Sequence, residues 1–266
     1  MSTGFIQSLA ALLSLLPLTI AVWRGGAQRD GLFWILTGVA IAGPLGLVAV
    51  RFGAIWSTGL TEILWVIVLG SILLFALLAA INGAAWRLSG LLLPYLILLG
   101  LIAAAADHAS ASRGTMETVG GWVLLHILVS VITYGLLTLA AIAGLAVLLR
   151  ERSMRLKRRD ALSDLLPSIT DSDRLQVRLL VAAEVVLGID ILIGMGVQLM
   201  AVGHILAFDH KTLLTVGGFI LIGGLLFTHF RTGLRGRKAA RLFLVGYLLV
   251  TLGGPGVKFV QDVLLG

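Results

Sequence analysis

Cysteine is absent from this 266-residue chain, and charged residues make up only 12% of it. Without a thiol the chain can neither exchange disulfides nor hold a metal through thiolates. Hydrophobic residues account for 59% of the sequence, and the mean hydropathy is +1.06. A soluble domain does not reach these values, so the composition predicts a protein that crosses a membrane several times.

Eight apolar stretches are long enough to cross a bilayer as helices. About 20 residues are needed, because the hydrocarbon layer is about 30 Å thick and a helix rises about 1.5 Å per residue. The chain opens without a basic segment, which favours a first span over a cleaved signal peptide. The sequence therefore predicts an all-α polytopic bundle in a single transmembrane domain, 1–266. The predicted spans are Phe5–Trp23, Leu32–Val50, Glu62–Ile81, Leu88–Ala106, Val119–Leu149, Leu179–Val202, Thr212–His229 and Arg241–Val263.

The orientation of the spans is predicted from their basic flanks, because Lys and Arg near span ends are retained in the cytoplasm. Of the twenty Lys and Arg residues, all but Arg51, Arg113, Lys211 and Lys258 fall in the odd-numbered separators. Both termini are therefore expected outside, in an inner (plasma) membrane. The basic side is explained by topology and by attraction to anionic membrane lipids, and no nucleic-acid partner is expected.

The loop at about 150–178 is the only long separator, and it is expected in the cytoplasm. It mixes basic residues with acidic ones, and Pro167 lies near its middle. We expect a helical extension of span five, a turn near the proline and a capped approach to span six. The loop is either a solvated connector or a docking site for a soluble partner.

His126 is the histidine with the most informative surroundings. Ser130, Thr133 and Tyr134 follow it at helical spacing and form a polar stripe on an apolar helix, near the outer end of span five. Such a stripe is expected to face the interior of the bundle. Two interpretations remain open: hydrogen bonding between helices, which is common in membrane bundles, and a ligand role.

The other histidines lie at both ends of the bundle. His108, His204 and His210 fall in or beside outer loops, and His229 ends span seven on the inner side. His126 and His229 are therefore too far apart to bind one metal. Neutral imidazole is a favoured ligand for haem iron and divalent transition metals, so the outer histidines predict a binding site of that kind.

Span six carries two carboxylates, Glu184 and Asp190, inside its apolar run. A charged group at such depth costs at least about 2.5 kcal/mol, so each acid is expected to be protonated, paired or hydrated. Six residues correspond to about 600° of rotation, which leaves the two side chains on different faces. Glu184 is expected near Arg178, and Asp190 is the better candidate for a functional role.

The C-terminal third of the chain resembles the cytochrome c assembly membrane proteins of CcsA and HemX type, particularly their short YpjD-like branch. The resemblance rests on the segments at 208–212, 228–231, 233–238 and 256–259, and upstream on Leu125-His126-Ile127, Ser130 and Tyr134. It implies a membrane protein that binds haem and presents it for attachment to a cytochrome c. His126 matches a ligand of external haem, and His229 matches a ligand of haem within the membrane. Asp209 and Lys211 match the end of that family's Trp-rich loop.

The chain departs from that family pattern at several positions. No tryptophan occurs in Gly203–Phe208, His210 and Thr212 replace the proline and glutamate of the loop, and no histidine follows span eight. The resemblance therefore implies non-covalent b-type haem rather than a complete synthase, and a haem-handling or assembly factor rather than an enzyme. His204 or His210 would be the second ligand beside His126.

The haem propionates would need basic partners, Lys211 or Arg113 outside and Arg231 or Arg235 inside. Expected partners are haem, membrane lipids and proteins of cytochrome assembly or haem synthesis. Two other functions stay open. One is a transporter for a divalent metal or small ion that uses the outer histidines and Asp190, and the other is a non-catalytic membrane regulator.

Overall fold

The computed structural model describes residues 3–25, 28–52, 56–57, 59–109, 115–116, 120–157, 161–203, 210–233 and 236–260. Its helices are α1 Thr3–Trp23, α2 Gly31–Phe52, α3 Leu60–Ile81, α4 Ser89–Ala109, α5 Gly121–Arg155, α6 Ala161–Leu165, α7 Ile169–Val202, α8 His210–Thr232, α9 Arg237–Thr251 and α10 Val257–Phe259. A 3₁₀ turn, Ala85–Leu88, precedes α4, and a π turn, Leu252–Gly256, joins α9 to α10. Two-residue strands, β1 Trp56–Ser57 and β2 Thr115–Met116, pair antiparallel.

Eight helices in the described part of the chain are long and apolar enough to cross a membrane. They correspond one to one to the eight predicted spans, and the predicted all-α polytopic bundle is confirmed. The largest difference is in α7, which begins at Ile169 and not at Leu179. The extra turns carry charged residues, so hydropathy does not mark them as part of the span. Ser168 caps this helix, since its hydroxyl accepts a hydrogen bond from the Asp171 backbone N–H.

The segment that was predicted as the cytoplasmic loop is mostly helical. Helix α5 continues to Arg155, the short helix α6 follows, and the capped start of α7 comes after Pro167. The extension of span five and the capped start of span six were predicted, whereas the short helix α6 was not.

The chain forms two compact units. Unit 1 consists of residues 1–117, 152–167 and 258–266, and unit 2 consists of residues 118–151 and 168–257. The single transmembrane domain that the sequence suggests remains a prediction. In unit 1 the core is aromatic: Phe33, Phe75 and Trp65 are fully buried, and the two phenylalanines meet edge to face.

In unit 2 neighbouring helices run antiparallel, and glycines mark where they come closest. A methyl group on Gly144 of α5 would collide with the Gln176 side chain of α7. A methyl group on Gly223 of α8 would lie 2.8 Å from Glu184 Oε1 of α7. These contacts fix which levels of the helices face each other.

The π turn in the last span follows from its sequence, Leu-Gly-Gly-Pro-Gly. Pro255 has no N–H and cannot donate to the carbonyl of Thr251 as an α-helix requires, so the helix widens here into a π turn. The neighbouring carbonyl of Val250 accepts a hydrogen bond of 3.2 Å from the Tyr134 hydroxyl of α5. The tyrosine therefore joins α5 to the last span directly beside the π turn.

Candidate functional site: a histidine–carboxylate pair in unit 2

His126 and Asp190 form a pair between α5 and α7. The imidazole Nδ1 lies 2.9 Å from the Asp190 Oδ1, and the side chains are 31% and 11% exposed. The two atoms are at ion-pair distance but lack the in-line geometry of a hydrogen bond. The aspartate is thus partnered inside the bundle, which is one of the states expected for a carboxylate at this depth.

Ser130 completes the group from one helical turn further along α5. Its hydroxyl lies 2.8 Å from Oδ1 and 2.9 Å from Oδ2 of Asp190, so it donates to the carboxylate. The polar stripe of α5 therefore does face other helices, as the sequence predicted. Its partner is the carboxylate of α7.

Gly194 lies against the imidazole ring. A methyl group at this position would be 3.1 Å from Cε1 and 3.6 Å from Nε2 of His126. The second ring nitrogen, Nε2, has no hydrogen-bond partner among the described residues. The ring is therefore held on its Nδ1 side, and its Nε2 side has room because residue 194 is a glycine.

The same stripe continues towards α9. Tyr134 donates to the carbonyl of Val250, and one turn later the hydroxyls of Thr138 and Tyr247 lie 3.1 Å apart. These bonds hold α5 against α9. Tyr134 thus has a positioning contact with the last span.

His229 lies at the other end of unit 2. It is buried in α8, and its ring meets Phe230 edge to face with centroids 5.3 Å apart. The antiparallel contact of Gly223 with Glu184 places His229 level with Arg178 of α7. The contact of Gly144 with Gln176 then places this level at Ile142 of α5. That is sixteen residues beyond His126, or about 24 Å at about 1.5 Å per residue. One iron cannot join the two histidines.

The remaining predicted site residues fall at the two ends. His210 and Lys211 are exposed at the start of α8, at the His126 end of unit 2, and Arg231 is exposed two residues after His229. By the same register, His210 is level with Val197, about one turn beyond Gly194. His204, Asp209, Arg113 and Arg235 lie outside the described residues.

Glu184 is not where the sequence placed it. It points at Gly223 of α8 and makes no ion pair with Arg178, which is exposed. The two residues are six apart on one helix and lie on different faces, which explains the error. Asp190 faces α5 and Glu184 faces α8, as the predicted rotation between them requires.

A second polar group lies in unit 1, at the ends of four helices. The Arg51 guanidinium is 2.7 Å from Asp107 Oδ2 and 3.5 Å from Glu62 Oε1, and it also donates to the Ser8 hydroxyl and the Gly4 carbonyl at 3.1 Å. The Arg51, Glu62 and Asp107 side chains are 10%, 4% and 1% exposed. We call these three residues the Arg51 network.

Across the described ranges no group of three or more His, Cys, Asp or Glu side chains is arranged to hold a metal ion. A transporter of divalent metals would need such a group. The transport alternative relied partly on His204 and Asp209, which lie outside the described ranges, and it stays a hypothesis.

Two residues of the His126 site were not found from the sequence. Gly194 carries no signal of its own among the glycines of span six, and Val250 acts only through its backbone carbonyl. The Gly-Gly-Pro-Gly run at 253–256 was the available signal that the regular helix is interrupted near Val250.

Fold and site together define a multi-pass membrane protein with a histidine–carboxylate pair between its helices. The chain belongs to the cytochrome c assembly protein family, whose pattern matches residues 47–265. The resemblance seen in the sequence is confirmed, and the family gives this chain a role in cytochrome c biogenesis.

A relative from Azospirillum brasilense is 47% identical over 271 residues, and the match covers 100% of both chains. It is described as an uncharacterized 28.8 kDa protein in a nifR3-like 5′ region. This similarity extends over the whole fold, including the α1 segment that the family pattern does not reach.

Proposed function

We propose that this protein handles haem during cytochrome c biogenesis and binds it through His126 at one end of unit 2 and His229 at the other. The observation that carries the proposal is the His126–Asp190 pair, with Nδ1 held at 2.9 Å from the carboxylate. A ring that is oriented on one nitrogen by a carboxylate offers the other nitrogen to a metal, which is the usual arrangement of a ligating histidine.

The surroundings of His126 fit a non-covalent haem. The imidazole is 31% exposed, so it can be reached from outside the helix pair. Trp122 lies one turn earlier on the same helix and is 54% exposed, which provides an apolar plane beside the ligand. When bound, haem would supply an iron centre that needs such an axial nitrogen and an apolar wall.

His229 also offers an imidazole nitrogen to haem iron, but its surroundings differ from those of His126. Its side chain is buried, so a haem bound there would lie within unit 2 and not at its surface. The axial separation of about 24 Å means that the two histidines serve separate haems. His210 is the described candidate for a second ligand near His126, with Lys211 as a propionate partner, and Arg231 is the corresponding cation near His229.

We also propose that the His229 end faces the cytoplasm, that both termini lie outside, and that the membrane is the inner membrane. Exposed cations cluster at this end of unit 2, and basic flanks are retained in the cytoplasm. They are Arg174, Arg178, Arg231, Arg237, Lys238 and Arg241.

The absence of cysteine makes this orientation easy to test. With a membrane-impermeant maleimide we expect Lys211→Cys to be labelled in intact spheroplasts and Arg237→Cys only after permeabilisation. Both positions are exposed in the structure, so a difference reports the side of the membrane. Labelling of Arg237→Cys in intact spheroplasts would reverse the assignment.

The haem proposal is tested with the absorption spectrum of the purified protein. We expect a Soret band in the wild type, partial loss in His126→Ala and in His229→Ala, and nearly complete loss in the double variant. The two losses should add, because the sites are far apart. Full haem retention in the double variant would leave both histidines as hydrogen-bonding residues between helices.

A pair of glycines on α7 provides a matched control. Gly194→Ala places a methyl group 3.1 Å from the His126 ring, whereas no atom lies within 4 Å of the corresponding position at Gly196. We therefore expect Gly194→Ala to reduce the haem bound at His126 and Gly196→Ala to leave it unchanged. Equal haem content in the two variants would show that the His126 ring is not the ligand.

A further inference from the structure

Ser130, the hydroxyl partner of Asp190 on α5, makes a hydrogen bond that is unusual for a serine in a membrane helix. Hydroxyl side chains in such helices commonly donate to the carbonyl one turn back. Thr133 does so, since its hydroxyl lies 2.9 Å from the carbonyl of Val129. Ser130, on the same helix, instead donates to both oxygens of Asp190. The serine is thus committed to the carboxylate.

The carboxylate in turn faces one ring nitrogen of His126. Nδ1 lies 2.9 Å from the carboxylate without hydrogen-bond geometry, so Asp190 acts on the ring through its charge, and Nε2 is the nitrogen that remains for a metal. A negative charge at this distance polarises the ring and makes Nε2 a stronger electron-pair donor. Because the pair is largely out of water, this electrostatic effect is weakly screened.

A stronger nitrogen donor favours the higher oxidation state of an iron bound to it. We propose that Asp190, fixed by Ser130, acts as a positioning residue that lowers the reduction potential of haem iron bound by His126 Nε2 and so stabilises the ferric form. This inference rests on the proposed haem function. The site with Asp190 should therefore favour ferric haem more strongly than the same site would without this carboxylate.

The test is a redox titration of purified protein in the His229→Ala background, where His126 holds the remaining haem. We expect Asp190→Asn to raise the midpoint potential and to lower haem affinity about 10- to 100-fold. Ser130→Ala should raise the potential by less, because the carboxylate remains but is no longer fixed.

Glu184→Gln is the matched control. It neutralises the other carboxylate of α7, which points at Gly223 of α8 and not at α5. The midpoint potential should not change in this variant. A rise as large as that of Asp190→Asn would mean that charge within α7, and not the contact with His126, sets the potential, and the inference would be wrong.

The outcomes separate this inference from the function on which it rests. A wild-type protein that binds no haem overturns both. Haem that depends on His126 but keeps the same midpoint potential in Asp190→Asn overturns only the role of Asp190. If Asp190→Asn does not fold, Ser130→Ala decides: a raised potential supports the inference and an unchanged one overturns it.

Discussion

Arg51→Met is expected to destabilise the protein by about 3 to 5 kcal/mol, the cost of breaking a buried ion pair. The substitution keeps most of the apolar volume but removes the guanidinium that contacts Glu62 and Asp107, and both carboxylates are almost completely buried. It also removes the donor to the Ser8 hydroxyl. The measurement is unfolding in mixed detergent micelles as the denaturing detergent is increased, followed by loss of helical circular dichroism.

Two variants make the result specific. Arg24→Met removes a cation that is exposed in the structure, so its effect should stay within about 0.5 kcal/mol. Arg51→Met combined with Glu62→Gln and Asp107→Asn should recover most of the stability, because no buried charge remains uncompensated. Arg51→Met that is as stable as Arg24→Met would show that the Arg51 network does not contribute to folding.

Gly254→Ala is expected to destabilise unit 2 by about 1 to 3 kcal/mol, as overpacking does in a well-packed core. The added methyl group would overlap the Tyr134 hydroxyl oxygen and lie 2.7 Å from Cζ of the ring. The tyrosine cannot withdraw without breaking its hydrogen bond to the Val250 carbonyl. The same detergent unfolding measures the loss.

A double-mutant cycle separates the clash from a general effect of alanine. Tyr134→Leu removes the obstructing ring end, so it should cost less stability in the Gly254→Ala protein than in the wild type. Gly224→Ala, at an exposed helical glycine with no atom within 4 Å of the added methyl, should be neutral or stabilising. Additive effects of Gly254→Ala and Tyr134→Leu would exclude the contact as the cause.

Hydropathy predicted the helices well because each span must satisfy the same length requirement. The start of α7 was wrong for a physical reason: Asp171, Asp173 and Arg174 lie on a helix that continues beyond the apolar stretch. Composition marks where a chain can lie in lipid. It does not mark where a helix begins, which at Ser168 is decided by a cap.

The sequence also predicted which face of α5 is polar, but it could not give the partner of that face. Helical spacing places His126 and Ser130 together, whereas their contact with Asp190 depends on the antiparallel register of α5 and α7. That register is fixed by packing at small residues such as Gly194 and Gly144. Packing of this kind has no periodic signature.

The Arg51 network shows the same limit more strongly. In the sequence Arg51 indicates only the orientation of the spans, and Glu62 marks only the start of the third span. Asp107 is 56 residues away from Arg51 in the chain, yet the two side chains are 2.7 Å apart. Only the folding of α1 to α4 brings these groups together.

This arrangement also has a consequence for how the protein is made. When α2 enters the membrane during synthesis, neither α3 nor α4 has yet been translated, so Arg51 has no carboxylate from these helices to bind. Glu62 arrives with the third span and Asp107 with the end of the fourth. Until these spans are inserted, the nascent chain carries Arg51 at the end of its second span without the two carboxylates that pair with it in the folded protein. A chain truncated before Asp107 would lack the carboxylate that lies closest to the guanidinium, at 2.7 Å.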